Sequence, residues 1–138
     1  MKLIEKKGNL FSLNKKDYHF VHCVSLDDNF KVGIAKQFQK NFHIKNRFHN
    51  KVVKFPSCVQ TKNVFNLVTK KHYGHKPTYN SQKMALKEMR TMICGNNIKQ
   101  IAMSKIGCGL DGLSWLRVKH LIEEIFSRVD VLIVVKYL

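Results

Sequence analysis

The chain is short of acid. Its 138 residues carry nine aspartates and glutamates against 25 lysines and arginines, a formal charge of +16. No acid stands between Asp28 and Glu88, while lysines recur across that span from Lys31 to Lys87. Such a field suits a polyanionic or phosphate-bearing partner. The excess is lysine rather than arginine, the residue that bidentate phosphate and guanine recognition favours. A zinc-finger spacing, a basic-zipper heptad and a basic-aromatic RNA-binding signature are all absent. Nucleic acid is therefore a secondary expectation as a partner.

Other absences narrow the class. Cys23, Cys58, Cys94 and Cys108 form no CxxC pair, and nothing marks secretion, so the thiols are expected to be reduced. No apolar run reaches membrane-span length, and the MKLIEKKGN start lacks the apolar region of a signal peptide. The expectation is an intracellular, monomeric protein of the nucleus or cytoplasm, with no membrane partner. His72 and His75 form an HxxH without further spaced ligands, so no metal site is expected. His19 and His22 differ by an odd number of positions and would face opposite sides of a strand. Hydrophobic residues make up 44% of the chain, enough for one real core. Without a repeat, low-complexity tract or linker, residues 1–138 read as one domain.

Strand-like and helix-like segments alternate. Met1 to Lys7, Tyr18 to Ser25, Lys51 to Phe55, Asn63 to Thr69, Ile98 to Met103 and Val131 to Val135 are strand candidates. Val32 to Phe42 places Ile34, Ala35, Phe38 and Phe42 at helical spacing. A second helix opens at Tyr79 or Asn80, carries Ala85, Leu86, Met89, Met92 and Ile93, and ends at Gly95-Asn96-Asn97. A third follows Ser114, with Trp115, Val118, Ile122, Ile125 and Phe126 as its stripe. His43 to Asn50 reads as an exposed connection, and Lys70 to Thr78 as irregular. VLIVV shows no alternation, as in a strand covered on both faces. The fold class that follows is α/β, one domain with a mostly parallel sheet between helices.

One stretch stands apart. Gln100 to Trp115 runs from a strand into Lys105-Ile106-Gly107-Cys108-Gly109-Leu110-Asp111-Gly112, and then into a helix start. Glycines let the backbone approach a ligand and turn its N–H groups outward, and the helix start favours phosphate. Asp111 is an acid placed where an anion is expected to bind. The same residues also serve an ordinary strand-to-helix turn, with Asp111 as a local cap. Cys108 lacks a histidine or asparagine partner signature and reads as a small apolar filler. Parallel sheets bind ligands at the carboxyl ends of their strands. Asn9-Leu10, Ser25, Lys70 and the glycine loop all follow predicted strands, and so are expected to share a crevice.

With these residues in view, the chain resembles a macrodomain, and more narrowly the terminal ADP-ribose protein glycohydrolase branch. The matching pieces are GNLF (Gly8 to Phe11), HCVS (His22 to Ser25), GIA (Gly33 to Ala35), VTKK (Val68 to Lys71), HKPTY (His75 to Tyr79) and KIGCGLDGLSW (Lys105 to Trp115). They occur in the family's order and span nearly the whole chain. The resemblance implies a three-layer α/β/α macro fold that binds ADP-ribose without a cofactor. It implies release of ADP-ribose from glutamate or aspartate side chains, with O-acetyl-ADP-ribose as a further substrate of related members. A lysine at the position of Lys70 would attack the anomeric carbon of the distal ribose. An aspartate at the position of Asp111 would move protons and resolve the covalent lysine adduct.

A lysine attacks only as the free amine, well away from its usual pKa of about 10.4. Spacing does not choose between Lys70 and Lys71; the motif match assigns Lys70. The resemblance further places Asn9, Leu10, Ser25, Gly33, Ile34, Lys105, Ile106, Gly107, Cys108, Gly109, Leu110 and Leu138 at the ligand. Gly107 to Leu110 would present N–H groups to the distal phosphate and ribose. Two departures stand out. Asn9 replaces an aspartate that recognises the adenine amino group, which keeps an acceptor but loses the charge. Asn29-Phe30-Lys31-Val32-Gly33 retains one glycine of a glycine-rich loop, so Lys31 could meet a phosphate and Val32 could crowd the ribose. ADP-ribosylated proteins are the implied partners. A binding module for ADP-ribose or poly(ADP-ribose), without turnover, is the alternative.

Overall fold

A computed structural model describes residues 1–27, 33–42 and 53–138. Along the chain lie β1 (Lys2–Lys7), a short 3-10 turn (Leu10–Ser12), β2 (His19–Ser25), α1 (Gly33–Phe42), β3 (Ser57–Thr61) and β4 (Val64–Lys70). α2 (Tyr79–Gly95), β5 (Gln100–Met103), α3 (Trp115–Phe126) and β6 (Leu132–Tyr137) complete it. The six strands form one sheet in the order β1-β6-β5-β2-β4-β3. All pairings are parallel except that of the edge strand β3 with β4. The result is the expected three-layer α/β/α domain with a mixed, mostly parallel sheet.

The apolar runs are continuous because the sheet is covered twice. Successive strand residues point to opposite faces. Val21, Phe65, Leu67, Ile101, Met103, Ile133 and Val135 face one way and pack with Ala85, Leu86, Met89 and Ile93 of α2 and Val118, Ile122 and Phe126 of α3. Phe20, Val64 and Ala102 face the other way and pack with Phe38 of α1 and Leu10 of the 3-10 turn. His22, also on that face, is buried against Phe38, its ring stacked at 4.0 Å, and shares a 2.6 Å hydrogen bond with Asn66. His19 stacks on Phe65, on the opposite face as its odd spacing requires.

Caps fix where the helices start. The Thr78 hydroxyl accepts the Ser81 N–H at 3.0 Å, and the Ser81 side chain accepts the Thr78 N–H in return, a reciprocal cap. Ser81 also donates to the Thr69 carbonyl at 2.7 Å, anchoring the start of α2 to β4. Ser114 holds the N-cap position of α3, but its side chain makes no cap hydrogen bond. Its N–H donates instead to the Tyr79 hydroxyl at 2.9 Å. α3 is tied to β1 through Glu5, which accepts from Trp115 Nε1 and from Lys119 Nζ, each at 2.8 Å.

One strand differs from the sequence reading. Lys51 and Val52 lie outside the described residues, and Val53 to Pro56 form no strand. The strand is Ser57–Thr61, SCVQT, which begins where a break was expected. It lies at the sheet edge, where the ladder to β4 and the burial of Cys58 hold a largely polar segment in place. The expected connection His43 to Asn50 lies outside the described residues, as do Asn29 to Val32 with Lys31.

Candidate active site

Five parallel strands, β1, β6, β5, β2 and β4, end on the same edge of the sheet. Their carboxyl ends open on a cavity of about 510 Å³. Asn9 and Leu10 enter it after β1, Ser25 at the end of β2, Lys70 at the end of β4, and Leu138 after β6. Lys105 to Asp111 enter it after β5, and Ile34 comes from α1. Gly33 is the first residue of α1. Convergence follows from topology, since parallel strands put every post-strand loop at one rim.

At the floor, Lys70 Nζ lies 2.8 Å from Asp111 Oδ1, with both side chains mostly buried at 16% and 17% exposure. The register places Lys70 there: Ser25 pairs with Lys70 across a register shift after Val24, and the Leu26 N–H donates to the Lys70 carbonyl at 2.8 Å. Lys71 is exposed, with its ammonium 5.9 Å from the Phe55 ring centroid. Geometry thus separates two lysines that spacing left open. Asp111 is not the local cap that an ordinary turn would use, because its carboxylate is turned to Lys70 and Ser114 holds the cap position.

The glycine loop is folded on itself. Cys108 N–H donates to the Lys105 carbonyl at 3.1 Å, Gly112 N–H to Gly109 at 3.1 Å, and Leu113 N–H to Gly107 at 2.8 Å. The Cys108 N–H is thereby engaged within the turn. Gly107 has φ +75°, and a Cβ there would lie 3.0 Å from Leu113 Cδ1 and 3.1 Å from Gln82 Nε2. Gln82 is fully buried beneath the loop, its Nε2 3.5 Å from the Ile106 carbonyl and its Oε1 3.6 Å from the Cys23 thiol. Burial, with the Asp111 carboxylate nearby, pushes the Cys23 thiol up to about 12, and burial also raises Cys108. Neither is an activated thiolate, consistent with a packing role for Cys108.

Around the rim, several expected ligand groups already have partners. Asn9 Oδ1 accepts the Phe11 N–H at 2.9 Å as cap of the 3-10 turn. The Ser25 hydroxyl donates to Asp27, whose other oxygen accepts the Tyr73 N–H at 3.3 Å and lies 3.7 Å from His72 Nδ1. Burial raises the Asp27 carboxyl, but the hydrogen bonds from Ser25 and the Tyr73 backbone outweigh it, and the net shift is downward. Lys105 Nζ sits 4.8 Å over the Tyr137 ring.

Gln37, Tyr73, Lys136 and Tyr137 also line the cavity, and sequence reasoning missed them. Gln37 lay on the polar face of a helix and Tyr73 in an irregular segment. Only the position of Lys136 and Tyr137 beside Leu138 pointed to the site. Among the described residues, no group of three or more histidines, cysteines and acids is placed to hold a metal ion.

No protein-family model matches the chain. The ADP-ribose glycohydrolases OARD1 of Bos taurus and Homo sapiens are each similar to it, 36% identical over 133 residues that span 94% of this chain and 87% of theirs. Among solved structures, the macrodomain of Thermus aquaticus DarG has a TM-score of 0.80 at 24% identity, covering 99% of this chain and 97% of that one. The latter likeness is one of fold; the former extends to sequence over nearly the full length. The chain therefore belongs to the macrodomain family, in its terminal ADP-ribose glycohydrolase branch.

Proposed function

We propose that this protein is an ADP-ribosyl hydrolase that releases ADP-ribose from glutamate and aspartate side chains. The observation that carries this reading is the Lys70–Asp111 contact, 2.8 Å across the floor of the strand-end cavity. The relatives named ADP-ribose glycohydrolase support the class of reaction.

The chemistry runs in two steps. The Lys70 nitrogen donates its lone pair to the anomeric carbon of the distal ribose, and the bond from that carbon to the carboxylate oxygen breaks. The freed carboxylate leaves with the bonding pair, and Asp111 takes the proton that the lysine nitrogen sheds. Asp111 then returns that proton to the nitrogen, and the carbon–nitrogen bond breaks with its electron pair going to Lys70. Water adds to the same carbon and gives a proton to the Asp111 carboxylate, leaving ADP-ribose and free Lys70; Asp111 then releases that proton to solvent. A substrate that fills the cavity excludes water and strengthens this exchange. O-acetyl-ADP-ribose, which carries an acyl ester on the same molecule, is the second substrate of this proposal. Ile106 to Leu110 line the cavity, and their backbone, apart from the Cys108 N–H already bonded to Lys105, would cradle the phosphates. Leu10, Ile34 and Leu138 supply apolar wall.

The test is release of labelled ADP-ribose from glutamate-ADP-ribosylated protein by wild type, Lys70→Ala and Asp111→Ala. Loss in both supports the mechanism, and unchanged release in both removes it. Calorimetric binding of ADP-ribose without any turnover by wild type would make the protein a binding module.

A further inference from the structure

The cavity has a wall that the chemistry at Lys70 does not use. Tyr73 lines it and is nonetheless 60% exposed. A ring left that open contributes little to the core of the free protein. Its backbone, by contrast, is held in place. The Tyr73 N–H donates to Asp27, the His75 N–H donates to the His72 carbonyl at 3.0 Å, and Lys76 Nζ donates to the Leu110 carbonyl. Asp27 takes the Ser25 hydroxyl, and Ser25 is the strand partner of Lys70. The backbone that carries the ring is therefore tied through Asp27 and Ser25 to the strand position of Lys70, on the cavity that the reacting pair also lines. Lys71, His72, His75 and Lys76 around it are all exposed.

We propose that Tyr73, with Lys71 and Lys76 beside it, forms a subsite for the leaving group and binds the acidic polypeptide segment that carries the modified carboxylate. The subsite rests on the hydrolase reading above. ADP-ribose occupies the cavity inward from the carbon that Lys70 attacks, along the glycine loop. Whatever is joined to the other side of that carbon leaves outward, past Tyr73. A tyrosine ring offers a flat apolar face and a hydroxyl at low entropic cost, the combination enriched at interface anchor points. The lysines add a field that favours acidic residues flanking the modified one. Peptide is favoured over nucleic acid because the cations here are lysines. The segment 71–78 contains no arginine, whose fork reads phosphates and bases.

The test compares kcat and KM for an ADP-ribosylglutamate peptide with acidic flanks and for O-acetyl-ADP-ribose, whose leaving group is only acetate. Tyr73→Ala is expected to lower the ratio of kcat/KM, peptide over O-acetyl-ADP-ribose, about fivefold, mainly through the KM for the peptide. Tyr73→Phe restores most of that ratio. Lys71→Glu raises KM for the acidic-flanked peptide over a neutral-flanked one by about threefold. A ratio that stays at the wild-type value in Tyr73→Ala overturns the subsite, as does stronger competition from a single-stranded oligonucleotide than from an unmodified acidic peptide. A wild type that hydrolyses neither substrate overturns the hydrolase reading itself, and the subsite with it.

Discussion

Lys70 Nζ and Asp111 Oδ1 meet at 2.8 Å although 41 positions separate the two residues in the chain. If this pair works as a unit, each single substitution removes most of what the double one does. Release of ADP-ribose should fall more than about a hundredfold in Lys70→Ala and in Asp111→Ala, and no further in the double variant. In Asp111→Ala the second step, which needs the returned proton, should slow more than the first, so intact-mass measurement after incubation with substrate should detect an ADP-ribose adduct on Lys70. Lys71→Ala should form no less product from O-acetyl-ADP-ribose than a surface substitution elsewhere.

Two glycines of one loop should behave differently. Gly107 holds φ +75°, and its Cβ would lie 3.0 Å from Leu113 and 3.1 Å from Gln82. Gly107→Ala therefore meets both strain and contact, at an expected loss of about 1–3 kcal/mol. Nothing lies within 4 Å of a Cβ on Gly109. Gly109→Ala should fold with wild-type stability. Urea unfolding separates the two, and calorimetry with ADP-ribose shows whether Gly107→Ala also loses affinity through a displaced backbone.

What was legible from sequence follows from which physical signals are local. The α2 stripe and its start at Tyr79 are local, and they stand where expected, although the Thr78 cap was not foreseen. So do the doubly covered strands, because burial on both faces leaves an apolar run such as LIVV in β6. β3 was missed because an edge strand is held by pairing to β4, a non-local interaction that leaves SCVQT largely polar. The same limit applied at the site. Motifs pointed to Lys70 and Asp111, but the 2.8 Å contact depends on the β2–β4 register and the turn after β5. Gln82 left no mark in the sequence because its role is to fill space beneath a loop that arrives from another strand.

Acid should weaken the fold through particular carboxylates. Hydrogen bonds from Lys119 and then Trp115 hold the Glu5 carboxyl below its ordinary range. A pKa lower in the folded than in the unfolded chain stabilises the fold fully above the unfolded value of about 4.3, and that stabilisation is lost as pH falls through the folded value. Asp27 shifts in the same direction, with its hydrogen bonds outweighing burial. The urea midpoint should therefore hold above about pH 5 and drop as pH falls through the unfolded value of about 4.3 and on through the folded values. Glu5→Gln should start lower at neutral pH and show a shallower drop.

Thiol labelling should follow burial. Cys94 is exposed, while burial pushes Cys23 up to about 12 and Cys58 up as well. At about pH 8, iodoacetamide should modify Cys94 first, then the half-buried Cys23 on the cavity wall, with Cys58 reacting only once urea opens the core.

Phe38 should couple stability to ligand affinity. It is fully buried, with the His22 ring stacked at 4.0 Å, Phe11 edge-on at 5.1 Å and Phe42 at 5.4 Å. These contacts fasten α1 to the sheet, and α1 carries Ile34 and Gln37 to the cavity wall. Phe38→Ala removes the ring that all three neighbours share and leaves a hole beside the buried His22–Asn66 hydrogen bond. The expected loss is about 3–5 kcal/mol in urea unfolding. Phe38→Leu keeps much of the volume and should lose less. If α1 positions the wall, ADP-ribose affinity should fall in the same order, Ala below Leu below wild type, measured where all three remain folded. Equal affinity across the three would show that the cavity holds its ligand without help from α1.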